Sequence, residues 1–396
     1  MTRAVHAPSV ALADRLVEAG VLEPEGALID AFRRVDRGAF VPAFALFDHT
    51  PQGTRYRLVR GDRAEQREEW AAHVYADETL VIEINGTPVV EALPQGTGKG
   101  RWTSSSTMPG LMARLLGELD LAGGERVLEI GAGSGYNAAI LCEVLGSQRV
   151  TSVDISPRLV AYAADRLDRS GYTPVTAVCD GHLGYPERAP YDRIIATTAF
   201  THVPPAWLGQ VVPGGRVLVN VAGGTGGAMV ELDVRGDGTA TGRFLPQWSG
   251  FMPARSHSPH TRTTVDDDGE DGWTALDPAA VRDPAMAFVA QLASGDAETL
   301  LKKADDGTDF LFMEGGDGSW AEIDLAPVES GRFRVVQGGP RRLWTAVEEA
   351  HRWWTANGAP DWSAFGATVT PNEQYVWFGS ADGDRRWPLP LPPGRG

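Results

Sequence analysis

The sequence predicts an α/β fold built on a doubly wound parallel sheet, with an N-terminal helical cap and a smaller C-terminal α+β domain. Three observations predict it. A glycine-rich turn at 131–135 lies between a buried strand and a helix, further strands and helices alternate up to about residue 223, and the composition changes after Pro253. We therefore expect three segments, at 1–110, 111–252 and 253–396.

The N-terminal segment begins with apolar residues at helical spacing over 8–20 and 24–37, which predicts a helical cap ending near Phe40. Residues 50–72 are polar and charged, which predicts a loop or short helix without catalytic groups. Four consecutive hydroxyl side chains then stand at 104–107, just before a predicted helix at 111–119. They either cap this helix or contact a ligand.

The glycine turn follows the apolar run 127–130 and holds Gly131, Gly133 and Gly135. Glycine lets the backbone approach a ligand and take conformations that a Cβ would obstruct. The G-x-G-x-G spacing differs from the dinucleotide pattern G-x-G-x-x-G, and no Lys-Ser/Thr pair of a P-loop follows it. This pattern favours S-adenosylmethionine, and the alternative is a turn that only packs a strand on a helix.

Acidic residues mark the ends of the next two predicted strands. Asp154 ends the strand at 149–155, at the distance from the glycines where an acid binds ribose hydroxyls, and Asp180 follows the strand at 175–178. Another buried strand spans 191–199. The carboxyl ends of such strands open on one crevice, which strengthens the prediction of a nucleotide site.

The rest of the chain predicts a hairpin over 228–244 and then a mixture of helices and strands rich in tryptophan. We expect most of these tryptophans to form a small core, although an aromatic groove for a peptide would have the same composition.

Composition excludes several classes of protein. The net charge of −16 disfavours nucleic acid as a partner. There is no apolar run long enough for a membrane span and no signal sequence, so we expect a cytoplasmic protein without a membrane partner. Two cysteines make neither a disulfide framework nor a metal site, and we expect no bound metal.

Several motifs occur in the order found in one known family. They are Phe-Val-Pro at 40–42, Tyr-Ala-Asp at 75–77, Gly-Lys-Gly at 98–100, the run Val-Leu-Glu-Ile-Gly-Ala-Gly-Ser-Gly-Tyr-Asn from 127, Asp180-Gly181, Ala-Pro-Tyr-Asp-Arg-Ile-Ile at 189–195 and Pro-Gly-Gly-Arg at 213–216. Between about 40 and 221 the chain resembles the protein L-isoaspartate O-methyltransferases. This resemblance implies a Rossmann-like class I methyltransferase domain that uses S-adenosylmethionine.

The resemblance also implies roles for individual residues. The cofactor-binding residues would be Glu129, Gly131, Ala132, Gly133, Gly135, Asp154, Ile155, Asp180 and Gly181. The residues that position the reacting carboxylate would be Thr107, Ser106, Thr197 and Thr198. An aspartate-like carboxyl has a pKa of about 4 and is already ionised at neutral pH, so no general base is required. Hydroxyl groups can then orient the carboxylate without neutralising it.

Two features depart from the family pattern. Thr107 replaces a serine two residues before Pro109, and the chain continues far beyond Phe251. The extension resembles relatives that tailor ribosomally made peptides such as lanthipeptides and graspetides. It implies methylation of an aspartyl or isoaspartyl carboxylate in a precursor peptide, followed by collapse of the ester to a succinimide and isoaspartate.

Other functions remain open at this point. One alternative is general repair of isoaspartate in proteins, and another is a non-catalytic peptide-binding module that retains the methyltransferase fold. A nucleic-acid methyltransferase is disfavoured, because residues 196–200 read Ala-Thr-Thr-Ala-Phe and lack the Asn/Asp-Pro-Pro-Tyr run of adenine-N6 enzymes. The expected partner is a peptide or protein that carries Asp or isoAsp, and the sequence does not predict the oligomeric state.

Overall fold

The computed structural model describes residues 6–50, 53–255, 269–304, 307–328 and 331–390. The chain forms two compact units. The first contains the residues up to Thr197 together with Gln210–Val212, and the second contains Thr198–Gly209 and the residues from Pro213 onward. The three segments expected from the sequence are inferred from its motifs and composition. The contacts within the two units do not test that division, so it stays a prediction.

The first unit contains eight of the helices found in the described residues: α1 (Ala7–Glu18), α2 (Ala27–Arg34), α3 (Arg37–Phe40), α4 (Arg67–Val74), α5 (Val89–Ala92), α6 (Pro109–Glu118), α7 (Tyr136–Leu145) and α8 (Pro157–Arg169). Its strands are β1 (Ala43–Thr50), β2 (Gly53–Arg60), β3 (Leu80–Ile84), β4 (Thr87–Pro88), β5 (Thr97–Lys99), β6 (Trp102–Ser106), β7 (Val127–Ile130), β8 (Val150–Asp154), β9 (Val175–Val178) and β10 (Tyr191–Phe200), whose last three residues belong to the second unit.

A sheet that the sequence did not predict follows the N-terminal helices. Its described strands have the order β4-β3-β1-β2-β5, and β6 also pairs with β3. In β2 the side chains of Tyr56 and Leu58 are buried while Arg55 and Arg57 lie towards solvent. The arginines make this segment polar on average, which hides the two-residue alternation of a half-buried strand. The predicted helical cap up to Phe40 is confirmed by α1 to α3, whereas the segment 50–72, expected as a loop or short helix, also contains β2.

The parallel strands of the first unit have the order β10-β7-β8-β9. The chain proceeds outward from β7 through β8 to β9 and then returns to β10 on the other side of β7. This reversal is the topological switch point of a doubly wound sheet, where a crevice opens at the carboxyl ends of the strands. Ser156 caps α8 and Pro157 is its first residue.

The second unit contains α9 (Pro205–Leu208), α10 (Pro284–Ser294) and α11 (Leu343–Ala356). Its strands are β11 (Val211–Ala222), β12 (Gly227–Val234), β13 (Ala240–Phe244), β14 (Glu270–Thr274), β15 (Glu298–Lys303), β16 (Asp309–Glu314), β17 (Trp320–Asp324), β18 (Phe333–Gly338), β19 (Phe365–Val369), β20 (Gln374–Phe378) and β21 (Arg386–Pro388). One set of strands has the order β21-β20-β19-β13-β12-β11, and a separate sheet has the order β14-β18-β17-β16-β15. The antiparallel pair β12–β13 confirms the predicted hairpin.

The tryptophans of the second unit mainly form a core. The buried ones are Trp207, Trp320, Trp344, Trp362, Trp377 and Trp387. Trp353 contacts the rings of Phe378 and Trp387 edge-on, with ring centres 5.1 Å apart in each pair. These contacts confirm the interpretation of the tryptophans as core residues. Among the described residues, no helix is long and apolar enough to cross a membrane.

Candidate functional site

The glycine turn lies at the carboxyl end of β7, at the switch point of the sheet. Gly131, Gly133 and Gly135 have φ angles of 106°, 51° and 84°, which side chains rarely adopt. A Cβ on Gly131 would lie 2.5 Å from Thr197 Oγ1, and one on Gly135 would lie 3.1 Å from the Ala163 Cβ. A Cβ on Gly133 would come no closer than 3.4 Å to any other residue, at Ser105 O. Gly131 and Gly135 therefore have packing reasons to be glycine, whereas a Cβ on Gly133 would make only ordinary van der Waals contacts.

Asp154 is held against this turn. One carboxylate oxygen, Oδ2, accepts a hydrogen bond from Gly133 N at 3.3 Å, and Oδ1 accepts one from Ser156 N at 3.0 Å. The backbone carbonyl of Asp154 accepts a bond from Cys179 N at 3.0 Å, which ties the end of β8 to the end of β9. The two predicted acids, Asp154 and Asp180, thus stand at the same edge of the sheet.

The surroundings of the two acids combine hydrogen-bonding groups with exposed apolar side chains. Asp180 Oδ1 accepts hydrogen bonds from the backbone N and from Nδ1 of His182, at 3.0 and 2.9 Å, in a short turn that includes Gly181. Ile155, which follows Asp154, is 38% exposed, and Val178, which pairs with Asp154, is 53% exposed. Exposed aliphatic groups beside carboxylates suit a flat aromatic base attached to a hydroxylated sugar.

Glu129, in β7 just before the glycine turn, is fully buried. Asn137 Nδ2 donates to its Oε1 at 2.7 Å, and the Ser152 hydroxyl donates to its Oε2. Burial raises the pKa of Glu129 to about 7, partly offset by these two hydrogen bonds, while the charge of Asp154 raises it further. Glu129 can therefore change its charge near neutral pH.

The hydroxyl run at 104–107 begins in β6 and does not cap the following helix. Helix α6 has Met108 at its N-cap position, and the carboxylate of Asp77 instead accepts a hydrogen bond from Gly110 N at 2.6 Å. The capping interpretation of the run is therefore wrong. Thr107 is half-buried, and its hydroxyl has no hydrogen-bond partner among the residues that the structure describes. This hydroxyl remains available to a ligand.

Ser106 has a different environment from Thr107. Its side chain is 3% exposed, and its hydroxyl lies 3.4 Å from Nη2 of Arg37. The two predicted hydroxyl donors are thus neighbours in sequence, but only that of Thr107 lacks a partner within the described part of the chain.

The two predicted threonines of β10 also differ. Thr197 Oγ1 donates to the carbonyls of Gly131 and Ile130, at 2.7 and 3.2 Å. Thr198 Oγ1 donates to Met252 O at 2.8 Å. Successive side chains of a strand point to opposite faces. Of this pair, the structure therefore brings only the Thr197 hydroxyl to the glycine turn.

Sequence reasoning did not assign roles to Arg37, Asn137 or Ser152. Asn137 and Ser152 are polar residues that lie among apolar ones in the sequence. This position was the sequence feature that could have indicated them as hydrogen-bond partners of Glu129. Arg37 ends a predicted amphipathic helix, where a charged residue is normally solvated, so its burial had no sequence signal. Within the described ranges, no group of three or more His, Cys, Asp or Glu residues could hold a metal ion.

Comparison with known proteins identifies the family. The model of the protein-L-isoaspartate(D-aspartate) O-methyltransferase (PCMT) family matches residues 58–258, slightly more than half of the chain. The chain belongs to this family. The family resemblance that the motifs predicted is thereby confirmed.

Individual isoaspartate methyltransferases support this membership. The protein-L-isoaspartate O-methyltransferase of Methylorubrum populi is 32% identical over 225 residues, which are 57% of this chain and 84% of the relative. The Shewanella sediminis protein-L-isoaspartate O-methyltransferase 2 is 42% identical over 148 residues, which are 37% of this chain and 57% of the relative. The chain spans about half the length of the first curated relatives it matches, with values of 57%, 51%, 39% and 61%.

A solved protein-L-isoaspartate O-methyltransferase structure superposes on this family member with a TM-score of 0.50 and 20% sequence identity. The alignment covers 94% of this chain and 100% of that structure. At this level of identity the likeness concerns the fold, and it confirms the predicted Rossmann-like methyltransferase architecture.

Proposed function

We propose that the protein is an S-adenosylmethionine-dependent carboxyl O-methyltransferase that acts on an aspartyl or isoaspartyl carboxylate of a peptide. One observation carries the proposal: Ser105 O, in the hydroxyl-bearing strand, lies 3.4 Å from the Cβ position of Gly133 in the glycine turn. The strand whose hydroxyls we assign to the substrate therefore lies next to the turn that we assign to the cofactor.

The residues of the turn fit this cofactor. The glycines have no side chains, so their backbone can approach a ligand closely. Asp154 can accept bonds from ribose hydroxyls, and Ile155 offers an apolar surface to adenine. Ala132 and Gly181 would complete the contacts, and Asp180 would accept from the base. When bound, S-adenosylmethionine supplies a methyl group on a positively charged sulfur.

The chain's part in the reaction is to hold the acceptor carboxylate. An aspartyl or isoaspartyl carboxylate is ionised at neutral pH, so the site needs hydrogen-bond donors and exclusion of water more than a base. The Thr107 hydroxyl, which has no hydrogen-bond partner among the described residues, is the donor we assign to this task. Ser106, whose hydroxyl lies beside Arg37, and Thr197, which donates to the carbonyl of Gly131, would assist it. The bond of Thr198 to Met252 leaves that residue a lesser role.

For the substrate we propose a ribosomally made precursor peptide. The family match ends at residue 258, and the chain continues into further strands and helices that include the separate sheet β14-β18-β17-β16-β15. The methyl ester would then collapse when the following backbone nitrogen attacks its carbonyl. The new C–N bond replaces the bond to methoxide, which leaves with the amide proton as methanol and yields a succinimide.

A second candidate is general repair of isoaspartyl proteins. It is favoured by the solved structure described above, which carries the isoaspartate methyltransferase name and whose alignment extends over 94% of this chain. A C-terminal extension is therefore compatible with either role. A non-catalytic peptide-binding module is the remaining alternative.

Mass spectrometry with S-adenosylmethionine separates these candidates. The substrates are an isoaspartyl peptide, the same peptide with normal aspartate, and any precursor peptide encoded beside the gene. We expect the precursor to gain 14 Da, the mass of one methylene, and then to lose methanol. Methylation of the isoaspartyl peptide alone would indicate repair. Cofactor binding without methylation of any peptide would contradict an enzymatic role and favour the binding module.

The raised pKa of Glu129 predicts a pH dependence of cofactor binding. At pH 6 the side chain is mainly neutral and at pH 8 mainly ionised, because its pKa lies at about 7. Only the ionised carboxylate attracts the positive charge of S-adenosylmethionine. The Kd for this cofactor should therefore fall by up to about tenfold when the pH is raised from 6 to 8. Titration calorimetry at both values tests this. The Glu129→Gln variant should show a weaker, pH-independent Kd, and a flat profile in the unmodified protein would contradict the prediction.

A further inference from the structure

Arg37, the first residue of α3, is completely buried, and its guanidinium donates to backbone carbonyls. The acceptors are Val74 O and Ala76 O at 3.1 Å, Glu78 O at 2.8 Å, and Ser106 O and Thr107 O at 3.2 Å. Five carbonyls from two separate stretches of chain thus converge on one side chain. These bonds join the segment 74–78 to the end of the hydroxyl-bearing strand β6.

The same guanidinium also contacts the cofactor side of the site. Its central carbon lies 5.9 Å from the ring centre of Tyr136, the first residue of α7 after the glycine turn. Tyr136 is itself buried, and its ring packs edge-on against Phe32 with ring centres 6.3 Å apart. Arg37 therefore lies between the helix that begins at the glycine turn and the strand that carries the hydroxyl groups.

The charge of Arg37 is retained in this buried position. Burial lowers the pKa of Arg37 to about 10, which still leaves the side chain protonated at neutral pH. Its hydrogen bonds go to carbonyls and to the Ser106 hydroxyl, so the dipoles of these groups compensate its charge. A planar guanidinium can serve several carbonyls in fixed directions, whereas a lysine ammonium is a compact charge with only three donors.

We propose that Arg37 is a positioning residue that holds the Thr107 carbonyl, and with it the Thr107 hydroxyl, in place for the acceptor carboxylate. The inference rests on the proposed methyl transfer. Arg37 itself touches neither the substrate nor the cofactor in this role. Its loss should displace the hydroxyl by more than efficient transfer tolerates, because reaction rates depend steeply on such alignment.

The test compares Arg37→Lys with Arg193→Lys. Arg193 is a matched control in β10, because it also donates to main-chain carbonyls, at 2.6 Å to Leu119 and 3.4 Å to Asp120. We expect Arg37→Lys to lower kcat at saturating peptide and cofactor by about tenfold, with the Kd for S-adenosylmethionine unchanged. Hydrogen exchange of the amides at 104–110 should accelerate in the same variant. Arg193→Lys should change neither kcat nor this exchange.

A folded Arg37→Lys variant with the original kcat, or one whose cofactor affinity falls as much as its kcat, would overturn the proposal. If Arg37→Lys does not fold, Arg37→Gln replaces it, since an uncharged amide donor avoids burying a poorly solvated charge. Exchange at 104–110 is independent of turnover. Absence of methyl transfer by the unmodified protein would therefore count against the proposed function, while unaltered exchange in the variant would count against the role of Arg37.

Discussion

Gly133→Ala is expected to weaken binding of S-adenosylmethionine by about 100-fold, equivalent to about 2.7 kcal/mol, while the protein remains folded. The new Cβ would lie 3.4 Å from Ser105 O and 3.9 Å from Ser104 Oγ, which are ordinary contacts. The fold therefore has room for the methyl group, at the cost of a positive φ of 51°. The methyl group would extend from the turn at the position where we place the cofactor.

Gly20→Ala is the matched control for backbone strain. Gly20 has a φ of 68° and no atom within 4 Å of its Cβ position, so its substitution adds a similar strain in an open location. Both variants should lose similar stability in thermal unfolding, and only Gly133→Ala should lose cofactor affinity in calorimetry. Equal affinity in the two variants would mean that the glycine turn only packs a strand on a helix.

Gly131→Ala would not separate these interpretations. Its Cβ would lie 2.5 Å from Thr197 Oγ1, a hydroxyl that already donates to the Gly131 carbonyl. The substitution therefore disturbs packing and site together. The three glycines of the motif therefore occupy their positions for different physical reasons, and their spacing in the sequence does not reveal which reason applies to which glycine.

The sequence predicted those parts of the site that follow from local pattern. In both β7 and β8, an apolar run is interrupted at its end by a different residue type. This is glycine after β7 and Asp154 at the end of β8. Parallel strands place such ends at one edge, so their proximity followed from the fold class alone. The hydrogen bond from Gly133 N to Asp154 is the contact that this reasoning anticipates.

Other parts depend on contacts between distant segments and have no local signal. Arg37 is 69 and 70 residues from the two carbonyls of Ser106 and Thr107 that it binds, and nothing in its surrounding sequence distinguishes it from a solvated arginine. Likewise, alternation along β10 separates Thr197 from Thr198, but which of them faces the glycine turn depends on the register with β7. Sequence could therefore supply candidates for the site without selecting among adjacent hydroxyl groups.

Thr107→Val should lower kcat for methyl transfer by about 100-fold, the loss typical of removing one hydrogen-bond donor from a reacting oxygen. Valine has nearly the shape of threonine, so the half-buried position should keep its packing. Because the Thr107 hydroxyl has no partner among the described residues, its removal breaks no internal hydrogen bond. Single-turnover kinetics with the methylated peptide detected by mass spectrometry measure the effect, and the cofactor Kd should stay unchanged.

Two further variants decide whether the Thr107 hydroxyl itself is responsible. Thr107→Ser retains the donor and should keep most of the activity, with any change confined to the preference among peptides, because only a methyl group is lost. Thr176→Val makes the same substitution as Thr107→Val in β9, at a half-buried threonine whose hydroxyl also lacks a partner within the described ranges, and should leave the rate unchanged. If Thr107→Val turned over as fast as Thr176→Val, the acceptor carboxylate would have to be held by another donor of the strand, and Ser105 would be the next residue to test, since its carbonyl lies beside Gly133.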